Sequence, residues 1–253
     1  MYRKIDLHVH TPVSSCYVDY IRPEANIKTS LEEIVDAAIA AGLDAIAITD
    51  HNSADGIEGI REIGRRNGLC IFPGVEISAR GGHVLAIFDQ DTPVERLHRL
   101  VELLGFDEEQ RGHGFHETAM WLDEVFQRIE ESGGLAIASH IDRRPKGFIA
   151  GEVPLQDKQR IYNSRYLSAL EITIPSDRAR WNQGLMPNFP KGYACIQGSD
   201  AHEPREIGRR PIYVDIPTID LDGLRLAFRA VSYTHLRAHE TRHDLVCRLL
   251  LEK

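Results

Sequence analysis

The chain has 253 residues and a formal net charge of −8, with 42% hydrophobic and 27% charged residues. That length suits one large α/β domain or two small ones, and the acidic balance leaves no broad basic face for duplex nucleic acid. No apolar run approaches 18 residues, no signal peptide opens the chain, and four scattered cysteines form no disulfide framework, so the sequence points to a reducing, cytoplasmic setting without a membrane partner.

The first predicted element is a strand over Ile5–Val9, inside MYRKIDLHVHT. His8 and His10 are two apart, so alternation puts both imidazoles on one strand face, where they can chelate one ion or simply be hydrogen-bonded at a strand end. SLEEIVDAAIAAG predicts a helix, with Ser30 and Glu33 as a capping box and Gly42 as its end. LDAIAIT predicts a buried strand running into Asp50 and His51, and IEGIREIGRRNG a second helix. LCIFPGVEIS and HVLAIFD predict strands, the first carrying Glu76 and the second opening on His83.

TPVERLHRLVELLG predicts a helix with Thr92 as cap and Pro93 at its first position, and ETAMWLDEVFQRIEESGG predicts another. LAIAS then leads into His140, and residues 141–165 read as polar and irregular. SALEITI, GYACIQG and PIYVDI predict late strands, and LDGLRLAFRA starts a last helix. Strands alternating with helices argue for βα units, a parallel sheet and one domain.

Six of the nine histidines before Val231 fall beside predicted strand ends: His8, His10, His51, His83, His140 and His202. Glu76 and Asp200 join them. In a closed parallel barrel the carboxyl ends of all strands meet on one face, so these residues would converge. Imidazoles mixed with carboxylates suit zinc, manganese or iron, and a carboxylate such as Glu76 can bridge two ions. A water shared by two ions loses its proton readily, which suits hydrolysis. Asp50 reads as a residue that orients a ligand. Cys70 and Cys195 read as small packed hydrophobes.

IDLHVHT, AITDHNS, GVEIS, HVLAI, ASHID and GSDAH occur in the order and rough spacing of the PHP (polymerase and histidinol phosphatase) family, which the chain resembles over about residues 3–215. The resemblance implies an α/β fold of the TIM-like type, a distorted seven-stranded (β/α)7 barrel. It implies two or three divalent metal ions (Zn, Mn or Fe) in a trinuclear centre. His8, His10, Glu76 and Asp200 would hold the first ion, and Glu76, His83 and His140 the second. His51 and His202 would hold the third, with a ligand from the loop after His10. Cys16 occupies the position where relatives often carry Asp or His. It is either a thiolate ligand or inert, with Asp19 in its place.

The implied activity is metal-dependent hydrolysis of a phosphate ester by a metal-bridging hydroxide, on a phosphomonoester such as a histidinol-phosphate- or nucleotide-like compound. Glu76, Asp200 and His202 would be the catalytic residues, with His202 a candidate to protonate the leaving oxygen. Arg143, Arg144 and Arg205 are candidates for the substrate phosphate. Lys146, Arg178 and Arg209 lie near the same predicted loops, and solvated surface is the leading alternative for each of these cations. His113 and His116, in RGHGFHE, read as loop residues or as substrate contacts, and Glu171 as a supporting acid or a strand end.

Two other functions stay open. The stretch from Gly198 to Ala230 resembles the end of PHP domains that continue into an SMC-like or AAA-type ATPase, which would favour a nuclease acting on nucleic acid. A metal-stabilised scaffold without catalysis is the other. From Val231 the composition changes, and VSYTHLRAHETRHDLVCRLLLEK resembles a translated sequencing-library adapter. The domain is therefore expected over 1–230, with 231–253 a non-native tail whose His235, His239, His243 and Cys247 carry no function.

Overall fold

The computed structural model describes residues 2–18 and 29–234, with side chains to residue 230. Its strands are β1 (Tyr2–Val9), β2 (Ala45–Ile48), β3 (Cys70–Arg80), β4 (Gly82–Ile87), β5 (Thr118–Trp121), β6 (Leu135–Ala138), β7 (Leu167–Glu171), β8 (Ala194–Ile196) and β9 (Ile212–Asp215). They pair in the order β8-β7-β6-β4-β3-β2-β1-β9, with β5 branching from β3. The result is an α/β barrel whose path has eight strands rather than seven. The segment after β8 nearly closes it: Ala201 bridges Val9 of β1, and the buried Asp6 carboxylate accepts the backbone N–H groups of Ser199 and Gly208.

The sheet is not wholly parallel, because no helix separates β3 from β4. They form a hairpin turning at Gly81, so β4 runs antiparallel to β3 and to β6, and β9 runs antiparallel to β1. This reversal has a consequence for chemistry. The start of β4 lies level with the carboxyl ends of the parallel strands, so His83 reaches the same rim from the opposite direction.

Two apolar layers hold the barrel. Ile5, Leu7, Ala47, Phe72, Leu85 and Ile137 fill its interior, and Leu224, Ala227 and Phe228 of the last helix, Leu221–Thr234, pack into that filling. Outside, the alternate strand residues meet the helices Leu31–Ala40, Ile57–Asn67, Val94–Leu103 and Leu122–Glu131 through Ile34, Ile60, Leu97 and Phe126. Ser30 and Glu33 form the expected capping box, at 3.2 and 2.7 Å.

Local chemistry moved some boundaries. The expected helix from Glu117 starts only at Leu122. Thr118–Trp121 adds to β3 instead, with Thr118 Oγ1 donating to Leu104 O at 2.6 Å, and Glu124 then caps the helix by accepting the Trp121 N–H at 2.7 Å. Pro93 is extended and precedes the helix Val94–Leu103, so Thr92 is not its cap. The stretch expected to be irregular over 141–165 contains the helix Leu155–Tyr162, which starts after Pro154 and buries Ile161 and Tyr162. A short helix, Arg178–Asn182, buries Trp181 and had no periodic signal of its own.

Candidate metal centre

A one-residue bulge in β1 aims the first two ligands. Between Asp6 and Val9 the register with β2 shifts, so Leu7 still fills the barrel while Val9 faces the helices. His8 and His10 therefore both turn to the barrel mouth, as the alternation predicts, but only because the bulge resets the parity. His51 lies three residues past β2. The bridge His51↔Glu76, with Glu76 N–H donating to Asp50 O at 3.1 Å and Asn52 N–H to Glu76 O at 2.9 Å, holds it against β3.

His140, Asp200 and Asn52 all have positive φ, at 28°, 52° and 49°. Non-glycine residues seldom adopt that region, and such strain persists only where the surroundings fix it. Here they do. His140 N–H donates to Glu171 Oε2 at 2.8 Å, and Asn52 is held at both ends of its amide.

Glu76 is fully buried at the centre. Its Oε1 lies 3.1 Å from His83 Nδ1 and 3.1 Å from His140 Nε2. Its Oε2 lies 3.2 Å from His8 Nε2, 3.4 Å from His10 Nε2 and 3.1 Å from His51 Nδ1. Asp200 Oδ1 sits 3.3 Å from the Nε2 atoms of both His8 and His10. Three donor sets have atoms within 4.8 Å of one another: His8, His10, Glu76 and Asp200; His51, Glu76 and His83; and His10, Cys16, His51 and His202. The structure thus brings together all nine residues expected as ligands. His140 joins through Glu76 Oε1, and Cys16 takes the loop position. Asp19, its alternative, lies outside the described residues.

These donors fit divalent cations on their own chemistry. His8 and His10 aim Nε2 atoms at each other across 3.2 Å. Glu76 Oε2, Asp200 Oδ1 and His51 Nδ1 are buried without a hydrogen-bond partner. Orphaned lone pairs in such number are costly unless a cation satisfies them. Nitrogen and carboxylate oxygen donors suit zinc, manganese or iron.

The electrostatics agree. Burial alone would keep His8 neutral, but the carboxylates of Glu171, Glu76 and Asp200 outweigh it and hold the imidazole well above its usual range. His10, equally buried, is pushed up to about 9 by Asp200 and Glu76. Burial would raise Glu76, yet the charge of His8 and the hydrogen bond with His10 hold it well below the carboxylate range. Burial drives His51 and His83 down, and His202 to about 4. The Cys16 thiol rises to about 12, from burial and then from Glu76 and Asp200. Without a cation, positive charge is supplied by protons on imidazoles.

A supporting layer completes the centre. Both Glu171 oxygens lie 3.0 Å from His8 Nδ1, which fixes the ring and leaves Nε2 for the site. Gly198 is required beside them, since a Cβ there would meet the His8 Cβ at 2.6 Å and the Glu171 carboxylate. Asp50 accepts from Thr11 N–H at 2.7 Å, Thr11 Oγ1 at 2.6 Å and Ser14 Oγ at 2.7 Å. Ser14 Oγ is 3.1 Å from His10 Nδ1 and accepts the His51 N–H at 3.1 Å. Sequence reasoning missed Ser14; its signal was its place four residues after His10, in a turn of TPVSS.

Of the proposed phosphate contacts, Arg143 reaches the site, with Nη1 donating to Asp200 Oδ2 at 2.5 Å. Arg205 turns away to Glu203 at 2.6 Å, and Arg144 is exposed on the neighbouring loop. Lys146 pairs with Glu117 at 2.7 Å. Arg209, left among the weaker candidates, lines the same cavity as Arg143, together with Cys16, Asp200 and His202, in a volume of about 480 Å³. His98 is remote and pairs with Asp55.

The barrel rim carries a buried carboxylate among imidazoles, and the PHP domain profile matches residues 6–176. The chain belongs to the PHP family. It is 28% identical over 141 residues to an uncharacterized protein of Methanocaldococcus jannaschii, covering 54% of this chain and 67% of that one. It is 27% identical over 135 residues to phosphoribosyl 1,2-cyclic phosphate 1,2-diphosphodiesterase of Eggerthella lenta, covering 51% of this chain but 43% of that enzyme. The lesion-specific endonuclease Q of Pyrococcus furiosus shares the fold at a TM-score of 0.67 and 17% identity, over 92% of this chain and 57% of that one. The chain thus spans little more than half of the endonuclease and less than half of the diphosphodiesterase. Among the described residues no helix is long and apolar enough to cross a membrane.

Proposed function

We propose that the chain hydrolyses phosphomonoesters at the rim centred on Glu76. The observation that carries this reading is the division of one buried carboxylate between two groups of imidazoles, His83 and His140 on Oε1, and His8, His10 and His51 on Oε2. That division supports Glu76 as a bridge, with His8, His10 and Asp200 on one ion and His83 and His140 on a second. His51, His202 and Cys16 would hold a third. Bound divalent ions supply Lewis acidity and make water nucleophilic near neutral pH.

The chain's own groups do the rest. Glu171 orients His8, and Ser14 orients His10. Arg143 stands at the mouth of the cavity, where its guanidinium would exchange Asp200 for the non-bridging oxygens of a phosphate and orient the ester. The His202 Nδ1–H donates to Asp200 O at 2.8 Å, and the ring is neutral with a value near 4. It therefore offers Nε2 as a lone-pair donor and carries no proton for a leaving oxygen. The cavity volume fits one small ester.

Three outcomes test this. With manganese or zinc supplied, a monoester panel is expected to turn over faster than diesters. Dominant cleavage of oligonucleotides would replace this reading with the nuclease one, and no turnover of either by the metal-loaded protein would favour a scaffold. Arg143→Ala is expected to raise KM about 10- to 100-fold, the worth of a charged hydrogen bond to the substrate, with metal content unchanged. Cys16→Ser is expected to release zinc from the third site at lower chelator concentration while the other ions stay. Equal retention in a chelator titration would remove the thiol from the ligand set.

Metal uptake should also release protons. His10 at about 9 and His8, also raised, are protonated at pH 7 and must lose those protons to become ligands. Affinity therefore falls as pH falls below about 9, and calorimetry in buffers of different ionisation enthalpy should report roughly two protons or more per chain. A value near zero would show that neither imidazole carries an extra proton before the metal binds.

A further inference from the structure

An exposed aromatic group sits next in sequence to Gly114, which packs on the His51 ring, on a loop tied down along its length. Phe115 is 87% exposed, and His113 and His116, also exposed, flank it with ring centroids 5.8 Å apart in an edge-on arrangement. The loop backbone is fixed from three sides. Asn52, adjacent to His51, donates its side-chain amide to His113 O at 2.9 Å and His116 O at 3.0 Å, while its Oδ1 accepts the Ser78 N–H at 2.9 Å. Ser78 Oγ donates to Gly114 O at 2.9 Å. Gly112 N–H donates to His51 O and its carbonyl accepts the Ser15 N–H, both at 2.8 Å.

Gly114 packs directly on the His51 ring. A Cβ there would lie 2.8 Å from both Cε1 and Nε2, so glycine is what lets the loop approach this far. The strained backbone of Asn52 is the cost of that staple. The same loop buries Phe106 and leaves Phe115 outside, the most exposed large hydrophobic side chain among the described residues. Rigid aromatic surfaces bind flat rings with little ordering cost.

We infer that Phe115, with His113 and His116, forms a stacking subsite for a nucleobase carried by the phosphate ester. The inference rests on the phosphoesterase reading and names its substrate class: a phosphomonoester of a base-bearing sugar, a nucleotide, with a nucleic-acid strand as the competing outcome of the test. Phe115 makes the subsite. Asn52, Ser78 and Gly114 are positioning residues that set its distance from the metal centre.

The test separates stacking from catalysis. In full-length Phe115→Trp, adenosine 5′-monophosphate or single-stranded oligothymidylate should quench the added fluorescence saturably beyond the wild-type signal of Trp121 and Trp181. Quenching by the mononucleotide alone identifies a nucleotide substrate. Stronger quenching by the oligonucleotide identifies a strand instead and overturns the nucleotide assignment. Ribose 5-phosphate should give none. Quenching by neither base-bearing ligand, or equal quenching by ribose 5-phosphate, overturns the inference.

Kinetically, Phe115→Ala should raise KM for adenosine 5′-monophosphate about 5- to 150-fold, the range of one lost stacking contact. KM for ribose 5-phosphate and kcat for both should stay unchanged, and Phe115→Trp should restore the lower value. An equal loss on both esters would make Phe115 merely structural and overturn the subsite. If the wild-type protein turns over no ester at all, the catalytic reading falls, and the quenching result still decides the stacking.

Discussion

Glu76→Ala is expected to lower kcat/KM by about 10³-fold or more, several kcal/mol of lost transition-state stabilisation, and to remove at least the ion held between His83 and His140. The reason lies in the contacts. Among the described residues Glu76 is the one acid that faces five imidazoles, and each of its oxygens serves a different group of them. Its strand should survive the change, because Glu76 pairs through its backbone with Leu85 of β4 and with the segment at His51. Circular dichroism of the variant should therefore match the parent while metal analysis shows the loss. Full metal content with full activity would remove Glu76 from the centre.

The second large effect is expected one layer out. Glu171→Gln keeps the size of the side chain but leaves a neutral amide beside His8. The carboxylate now accepts from His8 Nδ1 with both oxygens and from the His140 N–H, so one group orients ligands of both proposed ions. Loss of such a partner usually costs 10- to 100-fold in metal affinity or activity. Glu171→Gln should weaken metal binding by about that factor, and high metal concentration should restore most of kcat. A variant with unaltered affinity and lost kcat would instead place Glu171 in contact with the substrate. Gly198→Ala should resemble it, because the added methyl group pushes into the same Glu171–His8 pair.

Much of the centre was legible because metal ligands carry local signals. HxH on one strand, a carboxylate in GVEIS and DAH after a strand each put donors at a strand end, and the barrel rule then predicts that the ends meet. The short Gly-containing link at residues 79–82 is too brief for a parallel crossover and is a hairpin signal, but the reading by alternating helices and strands passed over it, so the antiparallel path that brings His83 to the rim from its strand's first residues was not anticipated. What was not legible depends on long-range pairing. The bulge in β1 is a property of its pairing with β2.

Supporting residues were harder still. Glu171 read equally well as a strand end, and Ser14 was passed over, since their roles come from partners 163 and 37 positions away. Thr118–Trp121 continued an amphipathic pattern smoothly into its helix, and only the free edge of β3 made it a strand. The Phe115 loop gave no motif, because its meaning lies in the contact between Gly114 and His51.

The central claim is that far-separated donors grip divalent ions about Glu76. The most direct measurement is diffraction from crystals of the zinc- or manganese-loaded chain at the metal absorption edge. The account predicts two or three anomalous peaks at the barrel mouth, one on each side of the Glu76 carboxylate and, when the third site is filled, one among Cys16, His51 and His202. Peaks away from Glu76, or a metal-soaked crystal with none at the rim, would contradict it.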